Sequence, residues 1–391
     1  MTAPLPLPNP WLAATEAPPI PVAQAWTAAY DGRAGRLLNL SQAAPGDPPP
    51  PALLERLAAA AADPAVARYG PIAGDAALRD ALAADIAARY GGTVGADDIV
   101  VTSGCNQAFF IALMAVARAG DEVILPAPWY FNHKMMLDML GIAAVPLVLD
   151  AAAGFVPDPA AARALIGPRT RAIALVSPNN PTGATYPPAV LDAFLDLAAE
   201  TGLHLVLDET YRDFLPPGRD RPHGLFARPD WGRNLVHLYS FSKSYAVPGH
   251  RVGALVAGPA LMGEMAKVQD CIQICAPRAA QAALAWAIPG IAPWRANMRD
   301  RINARAARFA AGMERLGRWK VDQIGAYFAF VRHPFGQGSA AVAERLCREA
   351  GLLVLPGAWF GPGGDAHLRI AFANVEDADM DNIVDRLAGL D

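Results

Sequence analysis

The chain has 391 residues, 53% of them hydrophobic and only 18% charged, so it buries a large core and is not a disordered segment. Its 33 Lys and Arg against 37 Asp and Glu leave a net charge of −4, which offers no general attraction for nucleic acid or an anionic membrane. The longest apolar run, Ala108 to Ala117, falls well short of the roughly 20 residues that span a bilayer, and four cysteines without CxxC pairing suit a reducing cytoplasm better than a disulfide framework.

Residues 1–51 are proline-rich, with Pro4, Pro6, Pro8 and Pro10, then Pro18, Pro19 and Pro21, and finally Pro48 to Pro51. Proline lacks an N–H and locks φ, so this stretch is expected to be an arm of extended and turn conformations, with one short apolar run at Leu37 to Leu40. The first basic residue is Arg33 and prolines interrupt the apolar stretches before it, so no export signal is expected. From Pro51 onward, Leu53, Leu54 and Leu57, then Leu78, Leu82 and Ile86, recur at helical spacing.

Beyond Ala96, short β-branched runs alternate with alanine-rich ones. The expected strands are Ile99 to Thr102, Glu122 to Leu125, Ala144 to Leu149, Ala172 to Val176, Leu203 to Leu207, Leu235 to Tyr239 and Val252 to Ala257. Helical stretches separate most of them: Gln107 to Arg118, Lys134 to Leu140, Pro159 to Leu165 and Ala189 to Ala199. Alternating β and α predicts an α/β fold with a mainly parallel sheet flanked by helices on both faces. A smaller α/β unit is expected from about Pro289, with helices near Pro293 to Leu316 and Ala340 to Ala350 around a strand at Tyr327 to Val331. A strand at Leu368 to Phe372 and a terminal helix close the chain. The expected division is a large domain at 46–285, with 1–45 and 286–391 forming the N-terminal arm and small domain.

Ligands of open parallel sheets collect beyond the carboxyl ends of the strands. There the sequence reads Ser103-Gly104-Cys105-Asn106, then Ser177-Pro178-Asn179-Asn180-Pro181-Thr182-Gly183, then Asp208-Glu209-Thr210-Tyr211, then Ser240-Phe241-Ser242-Lys243 with Arg251 beyond. The first is a glycine turn opening a helix, which presents free N–H groups to an anion. The others add an amide, a carboxylate with a phenol, and a lysine with hydroxyls, an inventory that suits a phosphorylated aromatic aldehyde. Lysine is scarce, at four residues (Lys134, Lys243, Lys267, Lys320) against 29 arginines, and guanidinium replaces an amine for solubility but not as a nucleophile.

From about Leu38 to its C-terminus the chain resembles the fold-type I pyridoxal-phosphate enzymes, and within them the class I/II aminotransferases. The specific pieces are Ser177 to Gly183, the Asp208/Tyr211 pair, and Ser240-x-x-Lys243 followed by Arg251. The resemblance implies pyridoxal 5′-phosphate as cofactor and transfer of an amino group from an α-amino acid to a 2-oxo acid by a ping-pong cycle. It also implies a homodimer with composite sites. Lys243 would carry the cofactor and then move the proton between substrate Cα and the cofactor. Asp208 would keep the pyridine nitrogen protonated, and Asn180 and Tyr211 would bond the phenolic oxygen. The backbone of Gly104, Cys105 and Asn106, with Ser240, Ser242 and Arg251, would take the phosphate. Tyr130 would stack on the ring, Arg369 would clamp the substrate carboxylate, and Tyr69 would reach the phosphate in the neighbouring subunit's site. A lyase, cyclase or decarboxylase of the same fold is the alternative.

Ala43, beside the presumed substrate carboxylate, stands where relatives often carry glycine, and its methyl is expected to narrow the pocket. By rough position Arg278 is a candidate cation for a distal substrate carboxylate. Each motif also has a bland reading. Asn-Pro and Thr-Gly make turns anywhere, an Asp at a strand end often caps a loop, and a lone lysine is usually solvated. Trp359 and Phe360 read as packing and the cysteines as small apolar residues. The conjunction of motifs in chain order on successive strand ends favours the cofactor site.

Overall fold

A computed structural model of the chain describes residues 7–390. The elements run α1 (Pro10–Ala14), α2 (Pro19–Ala25), β1 (Leu38–Asn39), α3 (Pro51–Ala62), α4 (Ala76–Tyr90), β2 (Ile99–Thr102), α5 (Cys105–Val116), β3 (Glu122–Ala127) and α6 (Phe131–Met139). Next come β4 (Ala143–Val148), α7 (Pro159–Ala164), β5 (Thr170–Val176), α8 (Pro188–Thr201), β6 (His204–Asp208), β7 (Leu235–Ser240), β8 (Gly253–Ala257), α9 (Pro259–Gln273) and α10 (Arg278–Gly290). The remainder is α11 (Ala292–Met313), β9 (Lys320–Gly325), β10 (Phe328–Arg332), α12 (Ser339–Ala350), β11 (Leu352–Leu353), β12 (Leu355–Pro356), β13 (His367–Ala371) and α13 (Asp379–Ala388).

Successive side chains of a strand face opposite ways, and here both directions are apolar, so both faces of the sheet need cover. In β6, Leu205 and Leu207 join the core beneath α3, α4, α8 and α10, while Val206 joins the opposite core with α5 and α9. The resulting seven-stranded sheet has the order β2-β8-β7-β6-β5-β3-β4. Its neighbours β7, β6, β5, β3 and β4 pair in parallel, as the alternation of elements predicts. Only β8 runs against both β2 and β7.

A four-stranded antiparallel sheet, β12-β13-β10-β9, packs its own core against α11, α12 and α13. β1, from the arm, pairs in parallel with β11. The expected strands at Tyr327 to Val331 and Leu368 to Phe372 correspond to β10 and β13.

Two local expectations are corrected. The arm is not free of helix: α1 and α2 each open on proline, where the missing N–H would have had no intrahelical partner, and Asn9 Oδ1 caps the Trp11 N–H at 3.0 Å. Pro4 and Pro6 lie outside the described residues. The chain from Pro259 to Gly290, assigned no element from its pattern, is two helices; Gly263 and Pro289 within them blur the apolar period.

Candidate active site

The carboxyl ends of β5, β6 and β7, with the turn after β2, converge on a cavity of about 380 Å³. Cys105, Asn106, Tyr130, Asn180, Asp208, Tyr211, Ser240, Ser242, Lys243, Arg251, Arg369 and Ala43 all line it, although they span most of the chain. Gly104 stands immediately behind this wall. Its φ is +86°, and a Cβ there would fall 2.3 Å from Arg251 Nη2, so only glycine lets the turn and the guanidinium coexist.

The turn ends at Gly104, which caps α5, leaving the first N–H groups of that helix without intrahelical partners. Ser240 and Ser242 are buried beside it, and Arg251 Nη2 donates to Ser103 O at 3.2 Å. Free N–H groups, hydroxyls and a guanidinium form a cradle of the right chemistry for a phosphate. Gln273 Nε2 holds Ser103 Oγ at 2.5 Å from the α9 side.

Asp208 ends β6 and is 5% exposed. Burial by itself would raise its pKa, but bonds from His133 and Thr210 outweigh that and hold the carboxyl below its ordinary value. The Thr210 N–H donates to Oδ1 at 2.9 Å, and His133 Nε2 lies 3.3 Å from Oδ2. The carboxylate therefore stays ionised inside a closed site, which fits a partner that presents an N–H⁺. The Cys105 thiol also meets Thr210 and Asp208, and burial pushes it far above the range in which a thiolate forms.

Lys243 is partly buried, and its Nζ donates to the Ala43 carbonyl at 2.5 Å. Desolvation, helped by the charges of Arg251 and Arg369, lowers its pKa to about 8. Ala43 serves through its backbone here, while its side chain packs against the core of the four-stranded sheet.

Arg369, on β13, is 2% exposed and lies between the Phe328 and Phe360 rings, at 5.2 and 5.1 Å from their centroids. Nη1 donates to Asn180 Oδ1 at 3.1 Å, Nη2 donates to the Ser41 carbonyl, and Nε has no partner among the described residues. Burial lowers its pKa to about 10, so it remains a cation at neutral pH. A buried guanidinium lining a cavity is suited to a carboxylate. Tyr130 is pushed up to about 12 by burial and bonds Asn106, and Tyr211 is buried against Phe328.

Behind the cavity the 208–213 segment is pinned by Glu209, Arg212 and Asp213. Glu209 Oε2 accepts from Tyr90 at 2.5 Å and meets His223 and His237 at 3.1 and 2.9 Å. Arg212 stacks on Tyr239 at 3.8 Å and pairs with Asp85 at 2.5 Å, while Asp213 pairs with Arg295 at 3.1 Å and Arg89 at 3.0 Å. The polar strand-end residues thus divide between the cavity and a buried ionic frame that orients them.

Two candidates stand elsewhere. Tyr69 is 79% exposed and outside the cavity of its own chain. Arg278 is also outside it: Nε meets Asp75 Oδ1 at 3.1 Å and Nη1 donates to the Ala65 carbonyl at 2.8 Å, so its charge is used to tie down the loop before α4. Trp359 stacks on Trp26 and Phe360 is fully buried, both as packing.

Sequence reasoning placed Thr210 at the strand end without a role and missed His133, Phe131, Pro18 and Ile20 as neighbours of the site. A signal for His133 exists: it follows Tyr130 by three residues, one turn into α6, so both share a face. The arm residues carry no such signal.

A family model described as "Aminotransferase class I and II" matches residues 36–387. The chain is 33% identical over 314 residues to the aspartate/prephenate aminotransferase of Thermus thermophilus, covering 79% of this chain and 80% of that one. It is 31% identical to the valine–pyruvate aminotransferase of Mycobacterium tuberculosis, covering 91% and 92%. The solved structure of aspartate aminotransferase from Thermus thermophilus with maleate superposes with a TM-score of 0.90 at 28% identity, over 99% of this chain and 100% of that one.

Proposed function

The chain belongs to the class I and II aminotransferases, and on that premise we propose which of its residues perform each part of the reaction. The enzyme uses pyridoxal phosphate and moves an amino group from an α-amino acid to a 2-oxo acid in two half-reactions. The observation that carries the assignment is the convergence of Lys243, Asp208 and Arg369 on one cavity.

The cofactor, when bound, supplies an electron-withdrawing ring that stabilises negative charge at substrate Cα. The Gly104–Asn106 turn, Ser240, Ser242 and Arg251 hold its phosphate. Asp208, kept ionised by His133 and Thr210, holds the proton on the pyridine nitrogen. Asn180 and Tyr211 bond the phenolic oxygen, and Tyr130 covers the ring. The Arg369 fork binds the substrate α-carboxylate, which orients the Cα bonds relative to the ring. The lowered pKa of Lys243 leaves a useful fraction of neutral amine near pH 8, so Nζ accepts the proton leaving Cα.

The enzyme works as a homodimer in which Tyr69, exposed in its own chain, completes the partner's phosphate site. Residues 46–285 form the cofactor domain, and the described parts of 1–45 and 286–391 form a small domain; the first contains the seven-stranded sheet and the second the four-stranded one. No helix among the described residues is long and apolar enough to cross a membrane, and all four cysteines are free, which supports a cytoplasmic setting.

The deciding experiment adds one equivalent of amino acid to the holoenzyme without any oxo acid. An aminotransferase stops after one half-reaction, with the cofactor spectrum converted to its amine form and one oxo acid released per site. A second oxo acid restores the spectrum. Repeated turnover without an acceptor would identify a lyase or decarboxylase.

A further inference from the structure

Every charged residue lining the active-site cavity already has a task. Asp208, Lys243, Arg251 and Arg369 are its only charged members among the described residues, and they serve the pyridine nitrogen, the cofactor carbonyl, the phosphate and the α-carboxylate. What remains of the wall is mostly neutral: Pro18 and Ile20 from the arm, Gln42 and Ala44, Phe131 and Asn132. Two cations outside it are engaged. Lys134 Nζ pairs with both oxygens of Asp138 at 2.6 Å, and Arg278 is held by Asp75.

Phe131 also stands between two cavities. It lines the active-site cavity and a neighbouring one of about 680 Å³, walled by Trp11, Trp129, Trp359 and Val22. The arm runs along the same divide, Pro18 and Ile20 facing one side and Pro19 the other. Phe131 itself belongs to a small apolar cluster with Met135 and Phe360, against which Ile20 and Tyr130 pack.

We infer that the substrate side chain is received by an apolar subsite formed by Pro18, Ile20 and Phe131, that the enzyme selects amino acids with uncharged apolar side chains over acidic ones, and that Phe131 sets the length of side chain accepted. The inference rests on the assignment of Arg369 to the α-carboxylate under Proposed function. A distal carboxylate would leave water to face proline, isoleucine and phenylalanine, with no free cation lining the cavity among this chain's described residues to receive it. An apolar side chain gains about fourfold in affinity for each methylene buried there. Shortening Phe131 opens the way toward the tryptophan-lined cavity, so bulkier side chains benefit first.

The test uses the holoenzyme and two readouts. Calorimetric titration with 4-methylpentanoate, 3-phenylpropanoate and succinate compares subsite occupancy without chemistry. Half-reaction rates with leucine, phenylalanine, aspartate and glutamate compare turnover. The apolar carboxylates are expected to bind at least about tenfold more tightly than succinate, and the apolar amino acids to react faster by at least as much. Ile20→Lys is expected to shift the preference toward succinate by about tenfold or more, and Phe131→Leu to favour 3-phenylpropanoate over 4-methylpentanoate relative to wild type by about fourfold. Succinate binding as tightly as the apolar probes to the wild type, which needs no variant to fold, would overturn the inference. Aspartate or glutamate reacting as fast as leucine would do the same while leaving the aminotransferase reading intact. If no amino acid converted the cofactor, it is that reading that would fail.

Discussion

His133 Nε2 stands 3.3 Å from Oδ2 of Asp208 while its ring lies nearly flat on Phe109, with centroids 3.7 Å apart and planes 13° from parallel. The stacking fixes the imidazole and the imidazole fixes one oxygen of the carboxylate; the Thr210 N–H holds the other. Asp208 is thereby presented to the cavity in one orientation and as an anion.

Asp208→Asn keeps this shape and removes the charge. Cofactor is expected to remain bound while turnover falls by orders of magnitude, as for loss of an interaction made in the transition state. His133→Phe keeps the stack and loses only the bond to a charged group, so a decrease of roughly tenfold to a hundredfold is expected. Steady-state kinetics beside cofactor absorbance checks both; near-normal turnover in Asp208→Asn would remove the residue from this role.

The depressed pKa of Lys243 sets a pH dependence. Only the neutral amine attacks an aldehyde, so capture of pyridoxal phosphate by the apo-protein should rise with pH around a midpoint near 8 instead of the ordinary 10.5. Borohydride trapping followed by peptide mapping measures the rate and the position together. A label on Lys134, Lys267 or Lys320 would refute the assignment.

Arg369→Lys replaces a planar fork by a point charge. The KM for the amino acid should rise at least about tenfold, with the absorbance of the bound cofactor unchanged. Amine substrates lacking a carboxylate should be spared; equal damage to both would mean that Arg369 does something other than hold a carboxylate.

The ionic frame behind the site makes a stability prediction. Arg212→Leu takes from Asp85 its fully buried partner, leaving it Arg89 and Arg295, and is expected to cost about 1–3 kcal/mol in denaturant unfolding. Glu209 and Asp213 are both held below their ordinary pKa values; burial opposes this, and the histidines around Glu209 and the arginines around Asp213 prevail. Their contribution is therefore complete above the unfolded carboxylate range near pH ~4 and is lost as pH falls below it. Asp213→Asn should flatten the acid limb of the stability curve.

The composite-site proposal is checked by mixing. Lys243→Ala chains and Tyr69→Phe chains, provided each is defective alone, should regain part of the activity when combined, because one mixed site carries neither change. Sedimentation showing a monomer at working concentration would defeat it.

What could be read along the chain was whatever depends on neighbours in sequence. Continuous apolar runs with alanine-rich stretches between them point to a parallel sheet covered on both faces, where Leu205, Val206 and Leu207 are all buried at once. Motifs at strand ends, such as Asp208-Glu209-Thr210-Tyr211, sit where such a sheet must open to ligand, so most of the cavity wall was legible. Even there the sequence did not divide the labour: Asp208 and Tyr211 line the cavity, whereas Glu209, Arg212 and Asp213 enter a buried frame with Tyr90, Asp85, Arg89, His223, His237 and Arg295. That choice depends on which side of a turn each residue leaves and on partners more than a hundred positions away. Nor could spacing disclose that Ala43 O would meet Lys243, that Arg369 would be clasped by Asn180 and Ser41, or that the proline-rich arm would form helices and bring Ile20 to the cavity. Those contacts arise only when the arm, the strand ends and β13 are folded together, since hydrogen bonds and burial act over a few ångströms of space whatever the separation in sequence.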